Sequence, residues 1–195
     1  MKPLEVKNQG QNTDKCLFYA IASMFEIEDR LIYNPDRTYE VYKINNPGFG
    51  ADFKKVAKFC CKYGFDALGI RIARKYRRPV FVEKSPDIYQ SIVDILNMNK
   101  PVLVGAKWKP EWNFYKDGII QPSNNEGTFY HAFFAYDVDG DYLICQSSNG
   151  MKVGDNGVFK FPKDVVNKDF HNLIAYFEIK EPWYIRFARY VFTKN

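Results

Sequence analysis

Apolar residues fill nearly every position from Cys16 to about Glu28, in CLFYAIASMFEIE, before the run turns acidic. A helix buried on most of its faces reads that way. ADFKKVAKFCCKYGF carries a narrower stripe. Phe53, Val56, Ala57, Cys60 and Cys61 recur at helical spacing, and Gly64 is suited to end the helix. A third stripe of Ile88, Ile92, Ile95 and Leu96 runs through SPDIYQSIVDILNMNK, where Ser85 can cap and Pro86 suits the first turn. Between the first two stripes, PDRTYEVYKINNPGFG is punctuated by Pro, Asn and Gly and reads as a loop. ALGIRIA reads as a short strand.

From residue 101 onward the pattern changes. PVLVGAKW, HAFFAYDV, DYLICQS, GVFKFP and LIAYFEIK are short, apolar or alternating, and separated by Gly, Asp and Asn. They read as strands, with the Asp-Gly of VDGD as a hairpin turn. Helices in the first half and strands in the second make the chain α+β. No internal repeat or low-complexity stretch interrupts it. One domain over residues 1–180 is expected, followed by an aromatic, basic tail over 181–195.

Composition narrows the class. The 195 residues are 46% apolar and 26% charged, enough for one sizeable core and ordinary for a folded chain. The net charge of +5 permits an anionic partner without requiring one. RIARKYRRP holds Arg71, Arg74, Lys75, Arg77 and Arg78. It reads as a solvated loop joining the two halves, too little to imply a nucleic-acid partner. MKPLEVKNQG lacks the apolar core of a signal peptide, and no stretch approaches the roughly 20 apolar residues of a membrane span. The four cysteines, Cys16, Cys60, Cys61 and Cys145, show no zinc spacing, so neither metal nor cofactor is expected. Free thiols point to a reducing compartment such as the cytoplasm. Cys60, Cys61 and Cys145 read as small core residues. The tail EPWYIRFARYVFTKN carries Trp183, Tyr184, Phe187, Tyr190, Val191 and Phe192, which call for cover by this chain's body or by a protein partner.

Cys16 differs from the other three. NQGQNTDK precedes it and the apolar helix follows, so it stands at a helix N-terminus, where negative charge on sulfur is stabilised. A cysteine nucleophile needs a base, and histidine is the natural one near neutral pH. The sequence has two. His131 opens the strand HAFFAYDV, whereas His171 lies in the polar NKDFHNL and reads as part of an exposed turn.

In order along the chain, VKNQGQNTDKCLFYA, KPVLVGAKWKPEWNFYKDGII and YHAFFAYDVDGDYLICQSSNGMKVGDNGVFKF resemble segments of the papain family of cysteine peptidases. The first resembles the Gln-Gly before the nucleophile and the helix after it. The second resembles a strand and loop ending in a Tyr-x-x-Gly-Ile turn. The third resembles the stretch with the catalytic histidine, the Asn-Ser-Trp-Gly motif and a Gly-Glu-Asn-Gly turn. The resemblance implies a helical N-terminal half packed on a C-terminal antiparallel sheet or half-barrel. It implies Cys16 as nucleophile and His131 as its base, held as a thiolate–imidazolium pair. It also implies Gln9 as an oxyanion donor beside the Cys16 N–H, with Gln11 as the alternative. The family's histidine-orienting asparagine falls on Ser147, and its shielding tryptophan on Asn149; either residue can hold the ring. Leu17 stands where the family has tryptophan, and a core that starts within the first ten residues leads to the expectation of a form without a propeptide.

Two functions follow from the resemblance. One is a thiol peptidase or related amidase acting by acyl transfer on a peptide or protein substrate. The other is a catalytically impaired papain-fold protein, a binding or structural component of a larger assembly such as a virus particle. The intact Cys16, His131 and Gln9 favour the first. Ser147, Asn149 and the aromatic tail favour the second.

Overall fold

A six-stranded antiparallel sheet forms the C-terminal half, and helices from the N-terminal half cover one of its faces. The computed structural model describes residues 4–10, 13–48, 50–67, 70–72, 77–82, 85–115 and 117–178. The expected tail 181–195 lies outside the described residues, as do Gln11, Arg74 and Lys75. The helices are α1 (Cys16–Asp29), α2 (Asp36–Asn45), α3 (Phe53–Tyr63), α4 (Ile88–Asn97) and α5 (Lys163–Asp169). The strands are β1 (Phe65–Ala67), β2 (Ile70–Ile72), β3 (Arg77–Val82), β4 (Val102–Trp108), β5 (Phe129–Asp139), β6 (Tyr142–Gln146), β7 (Val158–Pro162) and β8 (Phe170–Glu178). The main sheet runs β3-β8-β4-β5-β6-β7. The α+β expectation holds.

Alternation along the central strands divides the core. Leu103 of β4 and Ala132, Phe134 and Tyr136 of β5 face α1 and α3. Val102, Val104, Ala106 and Trp108, with Phe133 and Ala135, pack on the other side with α4, α5 and β7. α1 is buried continuously from Leu17 to Ile27, which its unbroken apolar run requires. Gly64 ends α3 in a left-handed conformation at φ 83° that suits glycine.

Four local expectations need correction. The stretch read as a loop contains α2. Thr38 and Tyr42, four residues apart, are buried on one face, and the Thr38 hydroxyl donates to the Gly64 carbonyl at 2.7 Å. Tertiary burial thus outweighs a composition poor in apolar residues. ALGIRIA is not one strand: Ala67 ends β1 and Ile70–Ile72 form β2, and the two pair antiparallel. α4 is capped by Asp87, whose carboxylate accepts from Gln90 N–H at 3.0 Å. Ser85 acts one step earlier, accepting from Asp87 N–H at 3.2 Å. His171 lies within β8 opposite Gly105, not in a turn.

The basic stretch is also not a solvated loop throughout. Arg77 and Arg78 open β3, an edge strand, where Pro79 is tolerated. Arg77 is buried. It pairs with Glu28 and Asp29 at the end of α1, and its guanidinium lies 4.8 Å from the Phe25 ring centroid. A charge that reads as solvated in sequence therefore ties the sheet edge to the central helix.

Candidate active site

α1 begins at Cys16. Lys15 occupies the cap position without a side-chain cap. The N–H groups of Cys16 and Leu17 act on the thiol from its own helix, and that of Ala132 acts on it from β5. Two residues earlier, Asp14 accepts from the Tyr39 hydroxyl at 2.5 Å, Lys43 Nζ at 2.6 Å and Gly50 N–H at 2.8 Å. Asp14 thereby ties the loop before Cys16 to α2 and to Gly50.

His131 immediately precedes Ala132 and is only 3% exposed. Its Nε2 lies 3.1 Å from Ser147 Oγ. The Ser147 hydroxyl oxygen also accepts from Asn149 N–H at 3.2 Å, and Ser147 N–H donates to the Gly157 carbonyl at 3.1 Å. The serine is thus fixed before the imidazole uses it. Trp108, fully buried, meets the imidazole edgewise with ring centroids 5.0 Å apart. Its indole N–H donates to Asn113 Oδ1 at 3.1 Å. Ala106 pairs with His131 in the sheet, so Trp108, two residues on, shares the same face. The sequence reading passed over Trp108 because strand register is not written in either strand alone.

The N-terminal segment supplies the third wall. Asn8 bridges to Asn149, Gln9 N–H donates to the Ser148 carbonyl at 2.8 Å, and Gly150 N–H donates to the Lys7 carbonyl at 3.1 Å. Gly150 has φ 81°, and a Cβ there would lie 3.0–3.2 Å from the Asn8 side chain. Close approach of the two segments therefore needs glycine. Gln9 is buried, and its side-chain Nε2 donates to Asn149 Oδ1 at 2.8 Å. Cys16, His131, Gln9 and Asn149 all line one cleft of about 1060 Å³. Ser147 stands behind the histidine, outside that lining.

No family model matches the sequence, and no curated protein matches it. Solved structures do match. One is xylellain, a cysteine protease from Xylella fastidiosa, at 17% identity and a TM-score of 0.71, covering 92% of this chain and 85% of that one. Another is the Carica candamarcensis cysteine protease CMS1MS2, determined with E-64, at 16% identity and a TM-score of 0.67, covering 92% and 94%. The fold is papain-like.

Within this papain-like fold His131 is enclosed, and Cys16 is partly buried. Burial pushes His131 down to about 4. Burial also pushes the Cys16 thiol up, aided by the nearby Asp14 charge and opposed by the N–H groups of Ala132, Leu17 and Cys16. Burial thus disfavours the charged form of each group on its own. The histidine shift also sets a stability signature. An unfolded histidine titrates near 6.5, so between about 6.5 and 4 the unfolded chain takes up a proton that the folded chain refuses. Stability falls as pH drops through that window, by about 3 kcal/mol at its acid end. Other groups add their own slopes, so the diagnostic is the difference from His131→Gln. Urea unfolding at pH 7 and 4.5 should show a shallower acid loss in that variant.

Proposed function

We propose that this chain is a papain-like cysteine peptidase, or a related amidase, acting by acyl transfer through Cys16 and His131. The observation that carries the reading is the shared cleft, lined by Cys16 at the N-terminus of α1 and by His131 on β5, whose neighbour Ala132 turns its N–H to the thiol. Ser147 Oγ lies 3.1 Å from Nε2, and in the tautomer with Nε2–H it accepts that proton's hydrogen bond and leaves Nδ1 unprotonated for the thiol. As Sγ attacks the substrate carbonyl carbon, its proton passes to Nδ1. The oxyanion takes hydrogen bonds from Cys16 N–H and the Gln9 amide. Collapse breaks the C–N bond, and the imidazolium gives its proton to the leaving amine. Water, deprotonated by the same imidazole, then releases the acid from the thioester.

The cleft also suggests a substrate class. Phe114 is 80% exposed, Tyr130 70%, Met151 62% and Phe129 48%, and all four border it. Exposed apolar groups gathered at one cleft favour an apolar partner. The expected substrate is a peptide with bulky apolar side chains near the scissile bond. Incubation with a defined peptide mixture, read by mass spectrometry, should show cleavage at such sites and none in polar, charged sequences. Absence of any cleavage by the wild-type chain, with none lost in Cys16→Ala, would favour the second reading, a papain-fold binding component. On that side stands the burial that disfavours charge on both Cys16 and His131.

Ser147 gives a graded test. Ser147→Ala removes the acceptor at Nε2 and leaves the imidazole free to turn. We expect kcat to fall by about 10- to 100-fold with KM nearly unchanged, the range for weakened general-base catalysis. Ser147→Asn, which restores an amide acceptor, should recover part of the loss.

A further inference from the structure

Gln9 carries a problem that its own position does not solve. A primary amide has one donor end and one acceptor end of nearly equal size. If it turns by half a rotation, it presents oxygen where an oxyanion would form, and a stabilising donor becomes a repelling lone pair. Backbone pairing of the Asn8–Gln9 segment fixes where the residue sits, but not which way the amide faces.

The structure assigns that task to Asn149: we propose that it is a positioning residue, which fixes the Gln9 amide with its NH2 toward the nucleophile's cleft. Asn149 Oδ1 accepts one Gln9 N–H at 2.8 Å. The second N–H on the same nitrogen is then available to the substrate. Gln9 Oε1 is buried without a hydrogen-bond partner, so no donor on the far side holds the amide in place. The Asn149 contact is therefore the hydrogen bond that decides its orientation. The Asn149 backbone is held by its bridge to Asn8 and by its N–H to Ser147 Oγ, which sets where its side chain starts. With Oδ1 turned to Gln9, it selects the NH2 end of that amide. Through Ser147 the same loop reaches His131, so one short segment aligns the base and the oxyanion donor together. This inference rests on the peptidase reading of the site.

The test is a double-mutant cycle with Asn149→Leu and Gln9→Ala, measured on a cleaved peptide. Asn149→Leu should lower kcat by about tenfold, short of the 10²–10³-fold typical when an oxyanion donor is removed outright. KM should change little. Alkylation of Cys16 by iodoacetamide, which forms no oxyanion, should proceed at the wild-type rate and shows that the site is folded. If Asn149 acts through Gln9, the double variant is no worse than Gln9→Ala. Unchanged kcat in Asn149→Leu, or fully additive losses, would overturn the assignment. If the wild-type chain cleaves no peptide, the peptidase reading fails by itself. The positioning is then read by NMR of the Gln9 side-chain amide. One of its protons should be protected in the wild type and lose protection in Asn149→Leu; no change between the two would overturn it.

Discussion

Cys16→Ala and His131→Ala should each abolish peptide hydrolysis, lowering kcat by as much as about 10⁶-fold, as loss of the nucleophile or its base does in a hydrolytic triad. The expected equivalence has a physical basis. Burial favours the protonated form of the Cys16 thiol, so attack by the sulfur depends on a base that takes its proton during the step. His131 is the group beside it able to do so, and its low proton affinity keeps it in the base form at neutral pH. Removing either group removes the same step, so the double variant should be no slower than either single one. His131→Ala should also weaken the pH dependence of Cys16 alkylation below neutrality. Steady-state hydrolysis of the three variants, with stopped-flow alkylation of Cys16 in the wild type and in His131→Ala, checks this.

Lys7→Met should destabilise the fold by about 3–5 kcal/mol, the range for breaking a buried ion pair from one side. Glu26 of α1 is fully buried, and its Oε1 lies 2.6 Å from Lys7 Nζ and accepts from Tyr33 N–H at 2.7 Å. Lys7 also donates to the Tyr33 carbonyl at 2.7 Å and pairs with Glu5 at 2.6 Å. Burial already pushes the Glu26 carboxyl up even with Lys7 beside it. Without the cation the carboxylate has no counter-charge, and protonation becomes its escape. A carboxyl whose folded pKa is raised favours folding at low pH, and that contribution is lost as pH rises. The gap between variant and wild type should therefore narrow on acidification, and Lys7→Met with Glu26→Gln should recover part of the loss at pH 7. Urea unfolding at several pH values measures both. Lys7 lies two residues from Gln9, so activity in the single variant should fall along with stability.

What could be read from the sequence was whatever is local. α1, α3 and α4 announce themselves because each carries its own apolar stripe, and β4 to β8 because their runs are bounded by turn residues. α2 was missed because only Thr38 and Tyr42 are buried, and their burial comes from partners far along the chain. β3 was hidden by its arginines and Pro79; only Glu28 and Asp29, supplied by α1, show why Arg77 is buried there. The candidate site divides in the same way. Cys16 at a helix start and His131 at a strand mouth can be recognised from their immediate neighbours. Trp108 against the imidazole depends on strand register, and Asp14 holding Gly50 depends on a contact 36 residues away. Ser147 and Asn149 could not be separated by counting, but in space they diverge: one meets the histidine, the other the glutamine. Desolvation is the least legible of all, because the burial that pushes His131 down and Cys16 up follows from enclosure rather than from residue type.

The central claim is that Cys16 is a nucleophile worked by His131, and an epoxide-bearing peptide with bulky apolar side chains tests it most directly. After incubation at neutral pH, intact mass and peptide mapping should show one adduct per chain, on Cys16. Cys60, Cys61 and Cys145 should stay unmodified, since all three are buried and none lines the cleft, whereas Cys16 is partly exposed within it. The adduct should form far more slowly in His131→Ala. No adduct on Cys16, or one that forms at the same rate without His131, would contradict the account.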